Sequence, residues 1–161
     1  MKIRAACFPV FVLVFLVGGT YALAPTRVLQ VRAVGTNALL FCAAISSGDD
    51  IYLHSINSIF LAPVRDRLRV MADGSLATVD VVTTPAVMNY FAIEAFTPVD
   101  EILVRGVPLA QHYREVRMKV DTRGQQQMVV NGQKVILYRL VPNESALIIQ
   151  VKDAPRIMAC W

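Results

Sequence analysis

The sequence predicts an all-β fold, an antiparallel sandwich or partly open barrel of about eight strands. Three observations favour it. Short segments rich in Val, Ile and aromatic residues alternate between apolar and polar positions, which is typical of strands. Turn residues separate these segments at short intervals. No helical pattern is long enough for the crossover that parallel strands require.

The chain begins with features of an export signal. Lys2 and Arg4 precede a nearly continuous apolar run from Ala5 to Gly19, and small residues follow up to Ala24. We predict that residues 1–24 form a hydrophobic helix, and two alternatives stay open for it. It is a cleaved signal peptide, or it is an uncleaved anchor, because its apolar span approaches the ~20 residues that cross a bilayer.

Either alternative places the body of the chain outside the cytoplasm, with Lys2 and Arg4 held inside. We therefore predict one β-rich domain over residues 25–161, periplasmic or otherwise extracytoplasmic, and either secreted or attached to the inner membrane. The arginines of this body are scattered and are not interleaved with aromatic residues, so no nucleic acid is expected as a partner. Two distant histidines without paired cysteines also predict no metal and no cofactor.

The strands follow from alternation and turn chemistry. Asp73-Gly74 and Asn131-Gly132 each stand between two β-prone segments, as expected for hairpin turns. One segment stays open, because Pro85–Phe96 fits a short helix with proline in its first turn and fits an irregular loop almost as well. The predicted strands are Val28–Val34, Ala38–Ile45, Ile51–Ile56, Val64–Met71, Ser75–Thr83, Glu101–Val107, Arg114–Val120, Gln126–Val130, Lys134–Leu140 and Ala146–Lys152.

Two cysteines of the body suit an oxidising compartment. Cys42 lies in an early apolar segment and Cys160 stands next to the last residue. They are a candidate disulfide that would tie the tail to the body. The alternative is two unpaired thiols, since sequence cannot show whether the two residues meet disulfide geometry.

The candidate chemistry lies around His54-Ser55. Neighbouring residues of a strand point to opposite faces, so these two cannot form the hydrogen-bonded pair that acyl transfer needs. A hydrolase would have to bring His112 to Ser55, with Asp66 or Asp80 to orient it, and the sequence has no Gly-x-Ser-x-Gly elbow. We therefore name no catalytic residue and expect His54 to bond a neighbouring carboxylate or a backbone carbonyl, with Asp66 as the first acidic candidate.

The predicted strand Val64–Met71 carries an arginine at every second position. Arg65, Arg67 and Arg69 share one face of the strand Val64–Met71, which is the ordinary pattern of a solvated sheet face. The alternative is a surface for an anionic ligand or an acidic partner. The candidate ligand or partner contacts are therefore His54, Ser55, Asp66, Arg65 and Arg67.

Several of these residues carry a resemblance. The leader, the strand that ends in His54-Ser55, Pro63-Val64 with Asp66, the Asp73-Gly74 turn and the closing segments VVNGQKVIL and LIIQV together resemble the bacterial domain-of-unknown-function family eighteen-fifty. Where that family has two acidic residues after Pro-Val, this chain has Arg65 and Asp66, so only Asp66 matches. Residues 84–94 stand in place of the family's Gly-rich segment.

The resemblance implies a neighbourhood rather than a reaction. Members of that family are small, exported or anchored, and often encoded beside TRAP transporters of the TAXI type. We therefore expect a non-enzymatic accessory or interaction module that works with a TRAP transporter component or another membrane protein. The alternative is an envelope hydrolase that uses His54 or His112.

Overall fold

The computed structural model describes residues 24–109, 111–158 and 160. The leader helix predicted for residues 1–24 therefore lies, apart from Ala24, outside the described residues. Within the described part of the chain, no helix has the length and apolar character needed to span a membrane.

The described chain is all-β, with two antiparallel sheets that do not close into a barrel. One sheet, here the four-stranded sheet, has the order β2-β1-β12-β9. The other, here the eight-stranded sheet, has the order β11-β10-β3-β4-β5-β7-β6, and β8 also pairs with β5. The strands are β1 Pro25–Ala33, β2 Leu39–Ala44, β3 Asp50–Asn57, β4 Ala62–Val70, β5 Leu76–Thr83, β6 Phe96–Pro98, β7 Val104–Gly106, β8 His112–Tyr113, β9 Glu115–Val120, β10 Gln127–Val130, β11 Gln133–Ile136 and β12 Ser145–Pro155.

Helical structure is limited to short pieces in these residues. The open segment after β5 forms the helix α1, Pro85–Tyr90, with proline in its first turn. Two 3₁₀ turns cover Leu137–Arg139 and Arg156–Met158. The first of them corrects the predicted strand Lys134–Leu140, which ends at Ile136. The Leu137 amide donates to the Gln126 carbonyl and its side chain is fully buried, so the chain turns into the core there.

The other wrong boundary is Glu101–Val107, where only Val104–Gly106 forms a strand. The Asp100 carboxylate accepts hydrogen bonds from the Ile102 and Leu103 amides, and this local turn replaces the first half of the predicted strand. The described residues form twelve strands rather than about eight, and the short strands β6 and β8 match none of the predicted ones.

Turn chemistry sets the hairpins. Asn131 and Gly132 both adopt positive φ, at 50° and 74°, between β10 and β11, as the prediction of a hairpin at Asn-Gly requires. At Asp73-Gly74 only the glycine adopts positive φ, and the Asp73 carboxylate accepts hydrogen bonds from the amide and hydroxyl of Ser75. Both turns fix the register of the strands they join.

Two hydrophobic clusters fill the interior. The large cluster contains residues of both sheets, including Leu29 and Ile149 of the four-stranded sheet and Ile51 and Leu68 of the eight-stranded sheet. The small cluster packs α1 against one end of the eight-stranded sheet, through Ala62, Val64, Val81, Val87, Met88, Ile93 and Val104. A burial of this size and continuity provides most of the stability of such a fold.

Gly106 permits the small cluster to form. A Cβ atom at this position would lie 2.6 Å from the Ile93 side chain and 3.0 Å from the sulfur of Met88. The backbone of β7 therefore approaches α1 and the following loop at a distance that only glycine allows.

The tail is tied to the four-stranded sheet by a covalent bond. Cys42 of β2 and Cys160 form a disulfide with a Cα–Cα distance of 5.6 Å. It closes a loop of 118 residues, a length for which a disulfide is expected to stabilise the fold by about 4 to 5 kcal/mol through restriction of the unfolded chain.

Candidate functional site

The central hairpin of the eight-stranded sheet places the candidate residues. In the pairing of β3 with β4, His54 stands opposite Arg65 and Leu53 stands opposite Asp66. Directly opposite residues share a face, and neighbours along a strand do not. His54 and Arg65 therefore lie on the outer face of the sheet, whereas Asp66 lies on the inner face with the core.

This register corrects the expected contact between His54 and Asp66. The two side chains point to opposite sides of the sheet, so the predicted bond is wrong. Ser55 stands opposite Val64 on the inner face, which separates it from His54 as strand geometry predicts.

The second histidine is also remote from Ser55. His112 is exposed on β8 and stands opposite Ala77 of β5, which in turn stands opposite Arg69. Arg69 lies five residues along β4 from Val64, the partner of Ser55, which corresponds to roughly 16 Å of strand. The described residues therefore contain no pairing of Ser55 with either histidine, and the geometry for acyl transfer is missing from them.

A shallow depression surrounds His54 and Arg65 on the outer face, and we call it the His54–Arg65 depression. Its volume is about 170 Å³. Side chains from four neighbouring strands and two loops line it, among them Ile56, Pro63, Val82, Leu103, Gln125 and Gln127. Ser55 and Val64 also belong to its lining, so Ser55 borders the same depression as His54 and Arg65. The outer-face side chains supply one guanidinium, one imidazole, two amides and apolar walls.

The electrostatics of the depression favour an anion. The pKa of His54 is lowered first by burial and then by the positive charges of Arg65 and Lys134, so the imidazole is neutral at neutral pH. Arg65 is exposed and forms no ion pair with any described residue. An unpaired guanidinium beside an uncharged imidazole and two amides provides donors for a carboxylate or phosphate oxygen.

The other two arginines of the same face are already paired. Arg69 binds both oxygens of Asp50, at 2.8 and 3.0 Å, and Arg67 binds Asp80 at 2.6 Å. Arg67 also lies 3.7 Å from Asp50, and Arg105 of β7 lies 3.8 Å from Asp80. We call these five residues the outer ion-pair network. The pKa of Asp50 is lowered mainly by its hydrogen bonds with Arg69.

The outer ion-pair network bears on whether the three arginines of β4 form a surface for an anionic ligand or an acidic partner. Arg67 is engaged within the protein and is not available to a ligand, although its Nε atom is buried without a partner. Arg65 differs only in position, because its cross-strand neighbours are His54 and Val82 rather than acidic residues. The register thus leaves one arginine of three free.

An apolar surface begins beside the depression. Pro63 and Leu103 line both the His54–Arg65 depression and a second, more apolar hollow of about 480 Å³. The remaining lining of this hollow comes from Asp100, Glu101 and Ile102. The two hollows therefore form one continuous surface that passes from polar and cationic to apolar.

The same end of the sheet carries exposed hydrophobic side chains, which we call the apolar tip: Ile59, Phe60, Leu61, Tyr90 and Phe91. The Phe60 and Tyr90 rings meet edge to face at 5.7 Å, so the β3–β4 loop and α1 are in contact. Leu61 is 78 % exposed and adopts a positive φ of 50°, which is unusual for leucine. Contiguous exposed hydrophobic side chains of this kind mark interaction sites.

Sequence reasoning missed the apolar tip and the two glutamines. Gln125 and Gln127 are far from His54 in the chain, and only the pairing of β10 with β3 brings them near. A signal for the tip was present in Ile59-Phe60-Leu61, three large apolar residues in a row between turn residues.

No group of three or more potential metal ligands occurs in the described residues. No protein-family model and no curated protein matches the chain.

Proposed function

We propose that this chain is a non-enzymatic, extracytoplasmic interaction module whose outer-face surface binds a membrane protein. The observation that carries the proposal is the unpaired Arg65 in a depression continuous with an apolar hollow. A protein interface of this kind has an arginine anchor surrounded by apolar area. The partner would supply a carboxylate for Arg65 and apolar side chains for the hollow.

The position of β1, the first described strand, supports a partner that extends beyond the membrane surface. The Arg27 side chain of β1 donates to the Met71 carbonyl, at the end of β4. The apolar tip adjoins the start of β4 at Ala62, roughly 26 Å along the strand from its end at Val70. If residues 1–24 are retained as an anchor, the domain presents its partner surface at the end remote from that anchor.

The partner that we propose is a TRAP transporter component, which is what the resemblance to family eighteen-fifty implies. The hydrolase alternative has less support, since Ser55 faces away from His54 and lies far from His112. Its test is a substrate screen with His54→Ala and Ser55→Ala variants, and unchanged turnover in both would remove it.

The proposal is tested by affinity purification of the tagged full-length chain from detergent-solubilised membranes of its native host. Mass spectrometry of the wild type should identify a TRAP transporter component. Arg65→Glu should lose most of that recovery, because it places a negative charge opposite the partner's carboxylate. Lys152→Glu is the matched control, since Lys152 is exposed on the other sheet and should leave recovery unchanged.

Each alternative outcome has a separate meaning. Equal recovery with Arg65→Glu and Lys152→Glu would show that the His54–Arg65 depression is not the binding surface. A different membrane protein, recovered in an Arg65-dependent way, would replace the transporter as partner. Recovery of no membrane protein would contradict the interaction module itself.

A further inference from the structure

A second cavity opens on the inner side of the eight-stranded sheet, and we call it the Asp66 pocket. It has a volume of about 310 Å³. The inner face of β3, β4 and β5 forms one wall through Leu53, Asp66, Leu68 and Thr78. The strands β8 and β9 form the other wall through Tyr113, Glu115, Val116 and Arg117. Its volume is at the lower end of those of small-molecule sites.

The pocket lies where the two hydrophobic clusters separate. Along the inner face of β4, Ala62 and Val64 belong to the small cluster, whereas Leu68 and Val70 belong to the large cluster. Asp66 stands between them, in a row of positions that is otherwise apolar. A carboxylate there interrupts a row of apolar positions, and such a break in the local pattern is expected at a binding site.

The Asp66 carboxylate has no partner in the described residues. It forms no hydrogen bond and no ion pair with any of them. Its cross-strand neighbours are Leu53 and Val81, and neither offers a polar side chain. Asp66 is partly buried, and a partly buried carboxylate without a partner carries a cost, which a bound cation would offset.

The polar side chains of the β8–β9 wall are already paired, so the Asp66 carboxylate is the main unpaired charge in the pocket. Arg117 is held by Glu115 at 2.6 Å and does not bind Asp66. The Tyr113 hydroxyl donates to the Gln111 side chain. The charged or titratable groups that face the pocket are thus Asp66 from β4, Tyr113 from β8, and Glu115 and Arg117 from β9, while β3 and β5 supply none.

We propose that the Asp66 pocket is a binding site for a small organic cation, a protonated primary amine that carries a short apolar chain. The ammonium group donates to the Asp66 carboxylate and to the Thr78 hydroxyl. The alkyl chain packs against Leu53, Leu68 and Val116. An ammonium group suits the pocket better than an anion does, because Asp66 has no partner among the described residues whereas Arg117 is already held by Glu115.

This inference is independent of the proposed function. The Asp66 pocket and the His54–Arg65 depression lie on opposite faces of the same sheet, so a substitution in one leaves the other in place. Partner recovery and amine binding are therefore separate measurements, and either can fail alone.

The test is a titration of the full-length chain with n-butylammonium chloride, followed by the backbone amide NMR signals of Leu53, Thr78 and Val116. These signals should shift in a saturable way at about pH 8 and much less at about pH 4, because burial raises the Asp66 pKa to about 6. The uncharged analogue 1-butanol should not reproduce the effect. The variant Asp66→Asn should bind n-butylammonium more weakly by on the order of thirtyfold or more, which corresponds to the loss of a buried charge partner.

Asp66→Asn preserves side-chain volume, so a folded spectrum is expected for it. Glu94→Gln is the control for loss of one negative charge, because Glu94 is exposed and distant in sequence from the pocket walls. Equal binding by wild type and Asp66→Asn would overturn the proposal. So would equal shifts with n-butylammonium and 1-butanol, or the absence of any saturable shift at about pH 8.

Discussion

The two faces of β4 each carry an unpaired charge, but of opposite sign and in opposite surroundings. Arg65 is exposed on the outer face, in a depression that water reaches freely. Asp66 lies partly buried on the inner face between apolar residues, and burial raises its pKa to about 6. An exposed unpaired charge costs little, whereas an enclosed one costs several kcal/mol unless it is protonated or bound.

This difference separates two uses of charge in one strand. The outer face satisfies Arg67 and Arg69 within the protein and leaves Arg65 to contact another molecule. On the inner face of β4, Asp66 has no partner among the described residues, at a position where an apolar residue would stabilise the fold. The free energy of unfolding should therefore respond strongly to a substitution at Asp66 and hardly to one at Arg65.

The largest expected effect comes from Asp66→Asn. The Asp66 carboxyl has a pKa of about 6 in the folded chain, raised from an ordinary value of 3.8. Ionisation is thus harder in the folded chain, so its contribution to stability is complete below about pH 4 and is lost as pH rises through 6. At about pH 8 the substitution should stabilise the fold by up to about 3 kcal/mol.

Urea denaturation of both proteins from about pH 4 to about pH 8 measures this difference. The gap in free energy of unfolding between wild type and Asp66→Asn should widen as pH rises. A gap that stays constant, or a variant less stable than wild type at about pH 8, would show that Asp66 is ionised without cost in the folded chain.

A smaller effect of opposite sign is expected on the outer face with Asp80→Asn. Asp80 is buried and holds Arg67 at 2.6 Å, with Arg105 close by at 3.8 Å. Removal of its charge leaves the half-buried Arg67 with only the longer contact to Asp50, at 3.7 Å, so we expect a loss of about 2 kcal/mol in the free energy of unfolding. The same denaturation at neutral pH measures it, and a loss below about 0.5 kcal/mol would mean that the network is fully screened.

Arg65→Gln sharpens the contrast, because it changes an arginine of the same face and the same strand. Arg65 has no ion pair to lose, so the free energy of unfolding should change by less than about 0.5 kcal/mol. A loss comparable to that of Asp80→Asn would indicate that Arg65 supports the fold and is not reserved for a partner.

The smallest expected effect is a change in the His54 pKa in the variant Arg65→Gln. Burial and the charges of Arg65 and Lys134 lower the His54 pKa, so removal of one charge should raise it toward 6.5. A proton NMR titration of the imidazole measures the shift, with Lys152→Gln as a control that should leave it unchanged. Because the lowered pKa favours the neutral imidazole, His54 contributes stability above its ordinary pKa of 6.5 that is lost as pH falls through its folded pKa, opposite to the trend at Asp66.

Much of the architecture follows from local signals. Alternation located the long strands, and Asn131-Gly132 marked a hairpin because both positions adopt positive φ. The strands β6 and β8 have three and two residues, too few for a period to show. Leu137 turns into the core after β11, where its burial overrides the β propensity of its segment.

The site was predictable in part. Alternation alone separates His54 from Ser55, as the structure shows. The pairing register was not readable, since it depends on how many residues the β3–β4 loop takes from each strand. That register put Arg65 rather than Asp66 beside His54, and it turned an expected histidine–carboxylate pair into two separate surfaces.

The central claim is that the surface around Arg65 contacts a membrane protein, and site-specific photocrosslinking in intact cells tests it most directly. A benzophenone amino acid introduced at Ile102, on the apolar hollow, should give one crosslinked product with a membrane protein after irradiation. The same probe at Lys152, on the other sheet, should give none. Products at both positions, or at Lys152 alone, would contradict the assignment of this surface.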